Sequence, residues 1–218
     1  MDDAVVDTFL ARYLRVTTTT TPQPLPSLED LRFGQTFTDH MFITRHVAGH
    51  GWDAPEIVPF GAVTLHPAAQ VLHYGVSCFE GMKAFMGVDG RGRLFRPDLN
   101  MARLQRSARR LMLADFDPNE LLECLKELLR VDARWMPDRL GYSMYIRPFM
   151  YSTGSGLGVA RSSECALNVI MSPVGPYFKT GLQPVTLFLD EHHVRAWPGG
   201  VGQYKIGGNY APTLLPQV

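Results

Sequence analysis

Three things are scarce in this chain of 218 residues, and each scarcity removes a class of function. Charge of one sign comes first. The 21 Lys and Arg residues balance 21 Asp and Glu residues, so formal net charge is zero. Nucleic-acid and anionic-membrane partners call for a basic excess that is missing here. Long apolar runs come second: none approaches the roughly 20 residues of a membrane-spanning helix. Cysteine comes third. Cys78, Cys124 and Cys165 are odd in number, far apart and without a C-x-x-C pair. They read as reduced thiols, not as a disulfide frame or a zinc site. Several catalytic signatures are also absent, namely H-E-x-x-H, G-x-S-x-G and the phosphate-binding P-loop.

The N-terminus places Asp2, Asp3 and Asp7 ahead of its arginines, which suits neither a secretory signal nor a transit peptide. The cytosol is the expected compartment, with a mitochondrial or plastid setting left open. Gly154-Ser-Gly156-Leu-Gly158 lacks dinucleotide spacing and reads as a loop. His192 and His193 are adjacent, so on a strand they point to opposite faces. His66 and His73 have no further ligand at metal-site spacing. No metal is expected.

What is present has a clear order. Residues 1–32 read as a variable lead-in. Val5, Val6, Phe9, Leu10 and Leu14 could line one side of a short helix, and the run Thr17 to Thr21 followed by Pro22, Pro24 and Pro26 reads as disordered or extended. Organised structure is expected from Phe33. Met41–Ile43, Ala62–Leu65, Lys83–Phe85 and Leu94–Arg96 are strand-like. The period then changes. Leu104, Ala108 and Leu111 mark a helix face. Asp117, Pro118 and Glu120 punctuate the start of a second helix as cap, first residue and capping-box acid, and Pro137 ends it. Strands resume at 143–151, 166–172 and 185–189.

This order predicts an α+β fold, with the helix pair on one face of a mainly antiparallel sheet. Residues 33–173 would form a small N-terminal domain and 174–184 an interdomain loop. The remaining 34 or so residues are too few for a core of their own. Residues 185–218 are therefore expected either to pack on the first domain or, as the ending inside an apparent helix favours, to begin a second, incomplete one.

The chemistry-bearing feature is Gly202 to Tyr210, Gly-Gln-Tyr-Lys-Ile-Gly-Gly-Asn-Tyr. Lys205 sits among apolar neighbours, and burial of a lysine disfavours its charged form. A neutral amine is the nucleophile that joins an aldehyde. Asn209 would cap a helix from Tyr210 to Leu215. A surface lysine before a glycine turn is the plainer alternative. Arg103, Arg106, Arg109 and Arg110 form a basic stretch, one of which could turn inward to a phosphate, although the pattern does not say which. On a strand Tyr145 and Arg147 share one face, which suits either an anion site or a solvated face.

Four segments together are similar to one family: Phe33 to Met41, His73 to Phe85, Arg93 to Arg103 and Tyr204 to Tyr210. They resemble the branched-chain amino-acid aminotransferases, fold-type IV enzymes dependent on pyridoxal 5'-phosphate, and most of all the eukaryotic type. The resemblance implies that Lys205 holds the cofactor covalently and then moves the substrate proton. It implies that Tyr210 bonds the cofactor's phenolic oxygen and that Arg103 binds its phosphate. Phe33, Tyr74, Tyr145 and Tyr177 would wall the side-chain pocket, with Arg147 near the substrate. Val159 would enter the pocket from the partner subunit of a homodimer. The implied reaction passes an amino group from leucine, isoleucine or valine to 2-oxoglutarate, giving glutamate. Members of the family continue well past the lysine motif, so the resemblance also implies a chain truncated there. A non-catalytic chain that pairs with full-length subunits is the alternative. D-amino-acid aminotransferase and aminodeoxychorismate lyase share the fold type, but the Phe33 to Met41 and Phe79 to Phe85 segments look like the branched-chain group.

Overall fold

The computed structural model describes residues 7–177 and 183–217. A single nine-stranded sheet carries the molecule. Its strands are β1 (Arg15–Val16), β2 (His40–Val47), β3 (Gly51–Trp52), β4 (Glu56–Pro59), β5 (Ser77–Phe79), β6 (Met82–Met86), β7 (Gly92–Leu94), β8 (Ser143–Ser152) and β9 (Glu164–Val174). They lie in the order β1-β4-β2-β9-β8-β6-β7, with β3 on β2 and β5 on β8. The β1–β4 pair is parallel and the others are antiparallel. The short helix α1 spans Gln70–Tyr74, and the helix pair α2 (Pro97–Arg110) and α3 (Pro118–Val131) sits between β7 and β8 in sequence.

Alternation along β8 sorts its side chains. Met144, Ile146 and Met150 are buried in the core with Leu104 and Ala108 of α2 and with Leu121, Leu125 and Leu128 of α3. Tyr145 and Arg147 therefore face the other way. Each such buried leucine is worth about 1.5–3 kcal/mol over an exposed one. The expected helix pair on one face of the sheet is what the chain forms.

Local chemistry explains the helix starts. Asp117 caps α3 by accepting the Asn119 N–H at 2.7 Å, with Pro118 at the first helical position. Glu120 does not close a capping box; its carboxylate accepts the Ala11 N–H at 2.6 Å instead. That helix ends at Val131, before Pro137. Helix α2 follows Arg96, whose φ of 48° turns the chain sharply out of β7.

Four expectations need correction. First, organised structure begins before Phe33: the described lead-in takes the extended one of its two readings and is laid along the domain as a strap. Phe9 is buried against Trp52 and Phe42 at ring separations of 5.4 and 5.9 Å. Thr19 N–H donates to His40 Nε2 at 2.9 Å and Gln23 N–H to Asp39 Oδ1 at 2.8 Å. Backbone donors that find partners on the sheet need no core of their own. The proposed helix face there includes Val5 and Val6, which lie outside the described residues; the described part holds only a 3-10 turn at Ala11–Tyr13. Second, Ala62–Leu65 is not a strand; among the described residues no partner strand reaches it, and β4 just before it takes the sheet position. Third, Val185–Leu189 forms no strand and is exposed, with Phe188 at 88%. Fourth, Tyr210–Leu215 is not an α-helix but a series of 3-10 turns, Gly207–Asn209, Ala211–Thr213 and Leu215–Gln217. Pro216 has no N–H to carry an α-helical ladder past Leu215, and the few bonds possible before it are too few to sustain a helix.

Candidate active site

The lysine loop is fastened to the sheet on one side and to α2 on the other. Phe79 N–H donates to the Lys205 carbonyl at 3.0 Å, and Lys205 N–H donates to Ser107 Oγ on α2 at 3.0 Å. Cys78 and Ile206 form an isolated bridge, and the Ile206 side chain enters the core. Gly207 permits this approach, because a Cβ there would fall 2.5 Å from Ser77 Oγ. Asn209 does not cap a helix. Its amide donates to the carbonyls of Val201 (3.0 Å) and Tyr204 (2.9 Å), closing the loop on itself.

That closure returns Tyr210 to the lysine. Lys205 Nζ lies 3.1 Å from Tyr210 Oη and 4.4 Å from the Phe79 ring centroid. Burial acts to raise the Tyr210 phenol. The hydrogen bond and charge of Lys205, joined by those of Arg195, outweigh it and hold the phenol below its ordinary value. The Arg195 guanidinium lies 5.2 Å from the Tyr210 ring centroid.

Two arginines flank this pair. Arg147 lies 4.6 Å from the same Phe79 ring and donates to Tyr145 Oη at 2.7 Å. Tyr145 in turn packs edge-on against Phe33 at 4.8 Å, and Phe33 against Tyr177 at 6.2 Å. Gly81 makes room for that phenol, since a Cβ would sit 2.2 Å from Tyr145 Oη. Arg103 reaches inward from α2, near enough to Tyr210 for their charges to interact. Its guanidinium is gripped by Glu80, whose carboxylate is 0% exposed. Arg103 Nε donates to Oε1 and Nη2 to Oε2, the latter at 2.8 Å. Of the other arginines in the stretch, Arg109 pairs with Asp115 and Arg110 lies over Tyr204, while Arg106 is exposed.

Lys205, Tyr210 and Arg147 thus meet at Phe79, Arg147 continues through Tyr145 to Phe33 and Tyr177, and Arg103 joins through its charge interaction with Tyr210. Tyr74 stands at the end of α1, next to Gly75, which approaches Gly208; its hydroxyl donates to the Leu157 carbonyl. Val159 is 84% exposed and joins none of these contacts. A cavity of about 440 Å³ opens beside Arg103, lined by Gly81, Lys83, Asn100 and Tyr145 among others. A groove of about 800 Å³ between α3 and β7 contains none of these residues.

Sequence reasoning left Phe79, Glu80, Ser107 and Arg195 without roles. Glu80 did carry a signal, as a lone carboxylate inside Cys-Phe-Glu-Gly-Met. An acid in such a run needs a cation when it is buried. Arg195 carried none. The histidines lie elsewhere: His73 bonds the Pro67 carbonyl, His66 accepts the Ala68 N–H, and His193 pairs with Asp190.

The sheet, the helix pair and the lysine loop against β5 define a fold-type IV aminotransferase domain, and the comparisons agree. The chain superposes on a branched-chain aminotransferase from Thermoproteus uzoniensis, determined with norvaline, with a TM-score of 0.62 at 20% identity, covering 81% of this chain and 54% of that one. It superposes on a T.th. branched-chain amino acid aminotransferase complexed with N-(5'-phosphopyridoxyl)-L-glutamate with a TM-score of 0.54 at 26% identity, covering 80% and 52%. In sequence it is 49% identical to the mitochondrial branched-chain-amino-acid aminotransferase of Schizosaccharomyces pombe over 94% of this chain and 48% of that protein. It is 49% identical to the cytosolic form of Mus musculus over 99% and 56%. By homology over nearly all of its length the chain belongs with the branched-chain-amino-acid aminotransferases, and it spans about half the length of the curated relatives it matches. No protein-family model matches it. The relatives include both mitochondrial and cytosolic forms. Among the described residues no helix is long and apolar enough to cross a membrane.

Proposed function

We propose that this chain carries the catalytic lysine and part of the substrate pocket of a branched-chain amino-acid transaminase. The enzyme would pass amino groups reversibly between leucine, isoleucine or valine and 2-oxoglutarate. One observation carries the reading: an amine and a phenol 3.1 Å apart, with a guanidinium near enough to the phenol for their charges to interact. These donors fit pyridoxal 5'-phosphate. Lys205 offers the amine that would hold it, Tyr210 a phenol for its ring oxygen, and Arg103 a guanidinium whose side chain is 44% exposed beyond the Glu80 clamp. When bound, that cofactor supplies an electron sink for charge developing at the substrate Cα.

The chain's own residues do the rest. The Lys205 amine carries the proton to and from the substrate Cα, and Tyr210 orients that amine through their hydrogen bond. Arg147, held by Tyr145, receives a carboxylate of the incoming acid. Phe33, Tyr145, Tyr177 and Tyr74 wall an apolar pocket. Such a pocket separates side chains differing by one methylene by only about 1–3 kcal/mol, so three branched substrates share it. In a homodimer, Val159 reaches the pocket of the partner subunit, consistent with its exposure. Residues 33–173 act as the small domain, and those from 185 onward belong to the larger, cofactor-binding one; the exposed Leu187, Phe188 and Trp197 suit that role.

The test is an absorbance titration of the purified chain with pyridoxal phosphate, beside Lys205→Ala, followed by L-leucine or D-alanine with 2-oxoglutarate. A saturable band lost in the variant and bleached by L-leucine supports the reading. Indistinguishable titrations of the two proteins overturn it, and a response to D-alanine alone moves the activity to another member of the fold type.

A further inference from the structure

Glu80 has no role in the chemistry above, yet it is the most completely enclosed acid beside the site. Its side chain is 0% exposed. Oε1 accepts from Arg103 Nε, while Oε2 accepts from Arg103 Nη2 (2.8 Å), Asn100 Nδ2 (2.9 Å) and the Gly81 N–H (3.1 Å). The backbone is pinned as well. Glu80 N–H donates to the Pro148 carbonyl at 2.8 Å, and Asn100 also donates to the Gly81 carbonyl at 3.1 Å. An arginine side chain has several free rotors. This clamp takes the Nε–Nη2 edge, leaves Nη1 outside it and fixes where the remaining end of the guanidinium points.

We propose that Glu80 is a positioning residue for phosphate recognition, holding Arg103 by one edge so that its free end meets the phosphate of the cofactor. The inference rests on the reading above that Arg103 takes that phosphate. A competing physical effect makes it decidable. A carboxylate beside a phosphate-binding arginine also cancels part of its charge. If Glu80 served only to neutralise Arg103, removing its charge would leave phosphate binding unchanged or strengthen it. If orientation dominates, removal weakens binding. The bonds lost are to a charged group and so are among the stronger ones; the loss should reach about tenfold in affinity, or about 1.4 kcal/mol.

The experiment compares affinities for pyridoxal phosphate and for pyridoxal, which lacks the phosphate, in the unaltered chain, Glu80→Gln, Arg103→Ala and the double variant. Circular dichroism checks folding. Glu80→Gln is expected to lose about tenfold for pyridoxal phosphate and little for pyridoxal, and to add no further loss on Arg103→Ala. An unchanged or higher preference for the phosphorylated form in Glu80→Gln overturns the positioning role. Should Glu80→Gln fail to fold, Asn100→Ala decides: it removes one of the bonds to Oε2, so a smaller loss confined to pyridoxal phosphate supports the role and no loss overturns it. If the unaltered chain does not distinguish the two ligands, the reading of Arg103 fails, and this inference fails with it.

Discussion

At the scale of single residues, charge arrangement decides more than residue type. Tyr210 is partly buried, which alone would make its phenol harder to ionise. The Lys205 amine at 3.1 Å reverses that, with help from Arg195. A cation near an acid favours the charged form, so Lys205→Met should raise the lowest tyrosine transition in an ultraviolet titration. A transition that stays in place would mean that Arg195 alone holds it down. The cysteines show the opposite balance. Burial pushes Cys78 and Cys124 up to about 12 and Cys165 to about 11. Thiolate is the reactive form, so iodoacetamide at about pH 8 should label the native chain far more slowly than the denatured one; equal rates would contradict the burial. Sequence reached this scale unevenly. Family likeness singled out Arg103 from four arginines that composition could not separate. Glu80 stayed without a role because a carboxylate's purpose is set by its partner, and that partner lies 23 residues away on another element.

Secondary-structure elements divide by whether their signal is local. Helix α3 was readable because Asp117, Pro118 and the leucine stripe act within a few residues of one another. Asp117→Ala should cost about 1 kcal/mol of stability, read as a lower denaturation midpoint with unchanged slope. Strands β2, β6, β8 and β9 were readable from their apolar runs, but β4 and the Ala62–Leu65 stretch were exchanged, since pairing and not propensity chose between neighbours. Glu120 shows the same limit. Spacing assigned it to its own helix, while the fold uses it to hold Ala11. Glu120→Ala should therefore loosen the strap more than the helix, seen as faster proteolysis before Phe33 with helix content preserved. Faster loss of helix would return Glu120 to a capping role.

For the whole molecule, the question is how firmly Lys205 is tied to a domain that folds around other residues. The core is built by the sheet with α2 and α3, and the described residues from 183 to 200 add little to it, being almost all exposed. Beyond them Ile206 is the side chain that enters the core most deeply, next to the two backbone bonds from Lys205. Regions with few buried contacts open at lower free energy than the global fold. Truncating a buried isoleucine costs about 2–5 kcal/mol. In Ile206→Ala that cost should fall on the loop and not on the sheet, because the loop is the part that can leave alone. The check is limited trypsin cleavage after Lys205, set against the thermal transition. Cleavage should accelerate by much more than the shift in the global transition explains. Parallel changes in both would show that the lysine loop and the sheet unfold as one unit, with the loop as firmly built in as the helices.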